Sequence, residues 1–139
     1  ATASELLPKL TSKSRTVDSN GDGQIDIWRK FDREHRLVSV TYDQNFDKKP
    51  DKWVTYANGK MIDLEDTNFD GKPEEKTTQY FSNKSYKNHF IKKIVFEKLK
   101  NKKWVISWTK EYDPLKKQFN VTEFINGKEF KRVIGATHE

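Results

Sequence analysis

The strongest constraint on the fold of this chain is a nine-residue pattern that occurs three times. The copies are residues 18–26, 43–51 and 66–74, and we call them loops 1, 2 and 3. Each has an oxygen-bearing side chain at positions 1, 3, 5 and 9, and loops 1 and 3 have glycine at position 6. Hard cations such as Ca²⁺ bind several oxygen atoms around a tight turn, and this spacing provides them. The pattern therefore predicts three calcium-type loops.

We expect side-chain oxygens from positions 1, 3 and 5, a backbone carbonyl from position 7 and a carboxylate from position 9 to bind the ion. The predicted ligands are Asp18, Asn20, Asp22, Gln24 and Asp26 in loop 1, Asp43, Asn45, Asp47, Lys49 and Asp51 in loop 2, and Asp66, Asn68, Asp70, Lys72 and Glu74 in loop 3. Two or three Ca²⁺ ions are expected, since Mg²⁺ demands a stricter octahedral geometry and retains its waters.

Loop 2 departs from the pattern at position 6, where Lys48 replaces glycine at a sharp turn. Lys48 and the adjacent Lys49 also bring positive charge close to an ion, so we expect loop 2 to be the weakest site. The alternative for all three loops is that Asp and Asn side chains stabilise polar turns with no metal.

Alternation of apolar and polar residues predicts β-strands on both sides of every loop. The expected strands cover about residues 14–17, 25–32, 37–42, 52–57, 61–65, 75–81, 90–98, 103–112, 118–125 and 128–134. The pairs Asn58-Gly59 and Asn126-Gly127 predict two-residue hairpin turns, because both residue types accept positive φ. In the strand at 103–112, alternation places Trp104, Ile106, Trp108 and Tyr112 on one face.

These patterns predict an all-β fold: an antiparallel meander of about ten strands with the calcium loops along one edge. The meander could close as a barrel, pack as a sandwich or remain a twisted sheet. At 139 residues, one domain is expected. Within it, we expect a flexible arm at 1–13, the loop repeats at 14–81 and a basic meander at 82–139, with a break in the repeat at 82–89 and a loose tail.

Charge divides the chain into two unequal parts. Residues 1–81 contain 13 Lys and Arg against 15 Asp and Glu, whereas residues 82–139 contain 14 against 6. In the basic part, lysines are mixed with aromatic residues, which could form a surface for nucleic acid, lipopolysaccharide or acidic glycan. The candidates for this contact are Lys92, Lys102, Lys103, Trp104, Trp108, Lys131 and Arg132. The alternative is that these lysines protect exposed strand edges.

Several features point to a protein that works outside the bacterial cytoplasm. The chain has no cysteine, begins with Ala1-Thr2-Ala3-Ser4 and contains no run of about 20 apolar residues that could cross a membrane. Extracellular calcium is plentiful enough to fill weak sites. We therefore expect a periplasmic, cell-surface or secreted protein without a membrane span.

The sequence offers little for catalysis. The three histidines are scattered, and no nucleophile motif or phosphate-binding glycine loop occurs. Close carboxylates at Glu65-Asp66 and Glu74-Glu75 could suggest a glycosidase, but Asp66 and Glu74 are already explained as ligands. A non-enzymatic protein is predicted.

Two resemblances to known families agree with this interpretation. The loops resemble the calcium-binding hairpin loops of integrin α-chain propellers, and dockerin and thrombospondin type 3 repeats share the loop with different flanks. A helical EF-hand would have Glu at position 12, where this chain has Arg29, Val54 and Thr77. Residues 53–65 are similar to hairpins of bacterial MORN-variant repeat proteins, which are all-β.

Together the resemblances cover about residues 17–81 and imply β-architecture and calcium binding rather than a specific activity. We expect a calcium-binding β-module that interacts with a protein or a glycan. The alternative is a basic polyanion-binding protein whose calcium sites are purely structural.

Overall fold

The computed structural model describes residues 15–82 and 90–135. The predicted arm at 1–13, nearly all of the break at 82–89 and the end of the tail lie outside the described residues. The described part contains ten strands and no helix. The strands are β1 (Thr16–Val17), β2 (Ile27–Phe31), β3 (Leu37–Tyr42), β4 (Lys52–Ala57), β5 (Lys60–Glu65), β6 (Glu75–Phe81), β7 (Ile91–Lys100), β8 (Lys103–Asp113), β9 (Gln118–Ile125) and β10 (Lys128–Gly135).

All ten strands form one sheet in sequence order, and each is antiparallel to the next. The predicted all-β meander is therefore confirmed. Of the three architectures that the sequence left open, the structure adopts a single open sheet rather than a barrel or a sandwich.

Three hairpins turn through two residues with positive φ, the conformation that matches the twist of the flanking strands. Asn58 and Gly59 have φ of 51° and 77°, and Asn126 and Gly127 have φ of 51° and 80°. The third turn, between β7 and β8, is formed by Asn101 and Lys102 at 51° and 66°. The expected strands left residues 99–102 between them, but β7 continues to Lys100, so the turn contains only two residues.

A single-layer sheet leaves both faces near solvent, and its apolar core is correspondingly small. Among the described residues, the buried apolar side chains are Val40, Val54 and Val121. The strand register places all three on the same face, with Val40 directly opposite Val54. Five polar side chains are equally buried, and four of them are aspartates in the loops.

One prediction about β8 is wrong because of a β-bulge. Phe96 of β7 lies opposite Trp108, but the next residue, Glu97, lies opposite Ile106. The register shift reverses the alternation of side chains between Ile106 and Trp108. Trp104 and Ile106 therefore point to one face of the sheet, and Trp108 and Tyr112 point to the other.

Candidate metal-binding loops

Loops 1, 2 and 3 occupy the connections β1–β2, β3–β4 and β5–β6, and thus lie side by side at the same ends of the strands. We call this side of the sheet the loop edge. Neighbouring loops are hydrogen-bonded: Asp43 N–H donates to the Asp26 carbonyl and Asp66 N–H donates to the Asp51 carbonyl, both at 2.8 Å. The Leu99 N–H donates to the Glu74 carbonyl at 2.9 Å and connects loop 3 to β7.

The three loops share one backbone conformation. In each, the position-9 N–H donates to the carbonyl of the residue before position 1, at 2.8–2.9 Å. Positions 4 and 6 have positive φ in every loop: Gly21 (74°) and Gly23 (87°), Phe46 (59°) and Lys48 (75°), and Phe69 (58°) and Gly71 (93°). Lys48 thus adopts the conformation that glycine adopts elsewhere, at a cost of about 1–2 kcal/mol for a left-handed L-residue. Loop 2 keeps the shared shape despite its departure from the pattern.

The position-1 carboxylates are held by backbone N–H groups of their own loops. Asp18, Asp43 and Asp66 each accept the position-5 N–H at 3.1–3.2 Å and the position-6 N–H at 2.7–2.8 Å. In loop 1, the Gly23 N–H makes the largest contribution to lowering the pKa of Asp18 below its usual value. Such a carboxylate stays ionised at neutral pH, as a metal ligand must.

The position-5 carboxylates also accept a backbone hydrogen bond from their own loops. Each accepts the N–H of the position-7 residue, Gln24, Lys49 or Lys72, at 2.8–2.9 Å. The bond from Lys49 is the main cause that lowers the pKa of Asp47, and the bond from Lys72 is the main cause that lowers the pKa of Asp70. Because the position-7 N–H turns inward, the loop is wound tightly around its acidic groups.

The position-3 asparagines complete this pattern. Asn20 and Asn68 accept the N–H of the position-5 residue through Oδ1 at 3.2 and 3.1 Å. The side-chain amides of Asn20 and Asn45 donate to the position-5 carboxylate at 3.3 Å. All fifteen residues predicted as ligands therefore lie in three loops of shared backbone shape.

The sequence analysis missed the residues at position 2, which orient the position-9 carboxylate. Ser19, Gln44 and Thr67 donate their N–H to Asp26, Asp51 and Glu74 at 2.7–3.0 Å, and their side chains donate to the same groups at 2.7–3.3 Å. The signal was present in the sequence, since every loop has a side-chain donor at this position. These bonds orient the position-9 carboxylate. They leave lone pairs on its oxygen atoms that could bind a cation.

Burial distinguishes the loop edge from ordinary polar turns. Asp26, Asp43, Asp51 and Asp66 are only 2–3% exposed. None of the four forms a salt bridge with any of the residues that the structure describes. A buried carboxylate is costly unless a cation, a metal or sufficient hydrogen bonds compensate it. Here backbone amides and neutral side chains supply the hydrogen bonds, and a bound cation would add the positive charge that none of these donors carries.

Loop 3 brings its three acids closest together. Asp66, Asp70 and Glu74 each offer an oxygen within 4.8 Å of the other two, and no other three acidic or imidazole groups in the described residues are gathered in this way. Burial raises the pKa of Glu74 above its usual value, and the nearby charge of Asp70 raises it further. A divalent cation at this point would neutralise that repulsion.

The residues proposed for polyanion contact are spread over the basic half. Lys102 lies in the β7–β8 turn and Lys103 begins β8, while Lys92 lies in β7. The bulge separates Trp104 from Trp108, and the consecutive residues Lys131 and Arg132 of β10 point to opposite faces. The sheet therefore does not collect the seven candidates on one surface.

Comparisons with known proteins give no family for this chain. No protein-family model, no curated protein and no solved structure matches it. In the described part of the chain, no helix is long and apolar enough to cross a membrane.

Proposed function

We propose that this chain is a non-enzymatic, calcium-binding β-sheet module in which Ca²⁺ ions bound in loops 1–3 fix one edge of the sheet. The supporting observation is the set of four buried aspartates, all in the loops and all without a salt-bridge partner among the described residues. The module would act at the bacterial periplasm or cell surface, or after secretion, and would bind a protein or a glycan.

The chemistry of the loops favours calcium over other cations. Every candidate side-chain ligand is a carboxylate or an amide oxygen, whereas zinc prefers Cys and His. Mg²⁺ prefers a rigid octahedral site with several retained waters, and a nine-residue loop with mixed carbonyl and carboxylate oxygens suits Ca²⁺ better. Weak sites of this kind fill at extracellular calcium concentrations, which supports the proposed location outside the cytoplasm.

Calcium would be important for stability because the apolar core is small. Three buried valines provide limited hydrophobic stabilisation within the described sheet. An ion that binds only the folded state adds about 2.7 kcal/mol per site when its concentration is 100 times the Kd. Since adjacent loops are hydrogen-bonded, an ion in one loop would also support its neighbour.

Calorimetric titration of the EDTA-treated protein with CaCl₂, with MgCl₂ as a control, tests the proposal. Two or three bound calcium ions are expected, with a rise in melting temperature. Asp66→Asn should remove one site. Asp113→Asn is the matched control, because Asp113 also accepts backbone N–H bonds, from Leu115 at 3.0 Å and Lys116 at 3.2 Å, in a turn outside the loops. No heat and no change in melting temperature would reject calcium binding.

The basic half supports a second candidate function, the binding of polyanions. Residues 90–135 contain 12 Lys and Arg against 5 Asp and Glu, so this half of the sheet is strongly cationic. Polyanion binding would be salt-dependent and would persist in EDTA, because it does not require the loops. Fluorescence anisotropy with labelled heparin, with and without EDTA, separates the two functions. Absence of binding at low salt would reject the second.

A further inference from the structure

The loop edge carries two exposed aromatic rings. Phe46 and Phe69 occupy position 4 of loops 2 and 3, and are 48% and 51% exposed. The two loops are neighbours, joined by the hydrogen bond from Asp66 N–H to the Asp51 carbonyl. Two adjacent loops therefore present the same apolar side chain from the same position.

The fold gains little from phenylalanine at this position. Both residues have positive φ, 59° and 58°, which is unfavourable for a bulky L-residue and suits glycine or asparagine. Loop 1 has Gly21 at the equivalent position, where an added Cβ would meet no atom within 4 Å. Position 4 of loop 1 thus faces open space, and in loops 2 and 3 about half of each ring remains in contact with solvent. An interaction outside the sheet would account for both rings.

Basic side chains surround the rings. Lys48 and Lys49 follow Phe46 in loop 2, Lys72 follows Phe69 in loop 3, and all three lysines are exposed. We call these five residues the aromatic edge. Apolar rings beside ammonium groups match the boundary of an anionic bilayer, where rings enter the acyl region and lysines contact phosphate groups. Phenylalanine has no polar atom for hydrogen bonding to sugar hydroxyls, so a lipid surface fits better than a glycan.

The acidic residues of the same loops oppose such a contact unless a cation neutralises them. Loop 2 carries three aspartates against two lysines, and loop 3 carries three acids against one lysine. A divalent ion in each loop would make loop 2 cationic and loop 3 neutral, so the charge of the two loops together would change from −3 to +1. We propose that the aromatic edge docks on an anionic phospholipid surface when calcium fills loops 2 and 3; this inference rests on the proposed calcium binding.

Vesicle co-sedimentation tests the proposal. The full chain is mixed with vesicles of phosphatidylcholine and phosphatidylglycerol in equal parts, or of phosphatidylcholine alone, in CaCl₂ or in EDTA. Binding is expected only to the anionic vesicles in CaCl₂. The double variant Phe46→Asn/Phe69→Asn should reduce partitioning about thirtyfold or more, as expected for the loss of two apolar side chains. Its melting temperature should be unchanged or higher, because asparagine accepts positive φ.

Phe130→Asn is the matched control, since Phe130 is also 51% exposed but lies in β10, away from the loops. It should bind vesicles like the unmodified chain. Calcium binding by calorimetry without vesicle binding would overturn this inference and leave the proposed function intact, whereas absence of calcium binding would overturn both. Equal binding to neutral vesicles, or a lower melting temperature of the double variant, would also overturn it.

Discussion

Replacing Asp51 with alanine tests whether the buried carboxylates hold the loops together. Asp51 is 2% exposed and accepts the Gln44 N–H at 2.9 and 3.0 Å, the Gln44 side-chain amide at 3.1 Å and the Asn45 N–H at 3.3 Å. Alanine leaves two backbone donors without their acceptor, at about 1–3 kcal/mol each. Because Gln44 and Asn45 are themselves exposed, water partly replaces the carboxylate. The two donors together would cost about 2–6 kcal/mol, and we expect a loss of about 3 kcal/mol in the free energy of unfolding.

Urea unfolding followed by tryptophan fluorescence measures this loss, since the chain has four tryptophans. In EDTA the difference in free energy of unfolding between the unmodified chain and Asp51→Ala reports only the hydrogen bonds. It corresponds to a melting temperature of the variant that is lower by roughly 10 °C. In CaCl₂ the difference should widen by up to about 2.7 kcal/mol if loop 2 also loses an ion that is present at 100 times its Kd. Asp51→Asn is the control, because it retains one oxygen acceptor but loses the charge.

The two conditions separate two explanations for the buried carboxylate. Equal stability of Asp51→Ala and the unmodified chain in EDTA would refute the argument from the hydrogen bonds. An identical difference in EDTA and CaCl₂ would instead show that loop 2 binds no calcium. Asp51→Asn should be the more stable variant in EDTA, and both variants should lose the extra stabilisation by calcium.

Three further predictions concern single side chains. Lys48→Gly should raise the free energy of unfolding by about 1 kcal/mol by relieving the positive φ, and no gain in urea unfolding would contradict this. Val54→Ala should lower it by about 2 kcal/mol because Val54 is buried, whereas the exposed Val133→Ala should change it by less than about 0.5 kcal/mol; similar losses for both would refute the assignment of the core. Glu74→Gln should raise the melting temperature in EDTA at neutral pH, because the raised pKa of Glu74 means that its ionised form disfavours folding. In CaCl₂ the same variant should lower the melting temperature, because it removes a predicted calcium ligand. The same sign of change in both solutions would contradict a metal at loop 3.

Much of the strand pattern follows from local sequence. The expected strands at 37–42 and 52–57 coincide with β3 and β4, because alternation is clear there and loop 2 fills the whole connection between them. The Asn58-Gly59 turn also follows directly from residue type. The face of Trp104 could not be predicted, since the bulge in β8 is defined only by its register with β7.

Local sequence specifies the shape of the loops and two of the three two-residue hairpin turns. A nine-residue loop closes through bonds between its own atoms, so the order of Asp, Asn and Gly specifies its shape without distant contacts. The three-fold repetition likewise predicts that the loops share one edge, because consecutive antiparallel hairpins return every second connection to the same side.

The way in which the sheet ends, and the side chains that its loop edge buries or exposes, depend on contacts between distant segments of the chain. An open sheet and a closed barrel have the same local alternation, and they differ only in whether the first and last strands pair. Burial of the four aspartates and the adjacency of Phe46 and Phe69 depend on the alignment of loops more than 20 residues apart in the sequence. Those properties arise from hydrogen bonds between strands, which no single segment of the chain specifies.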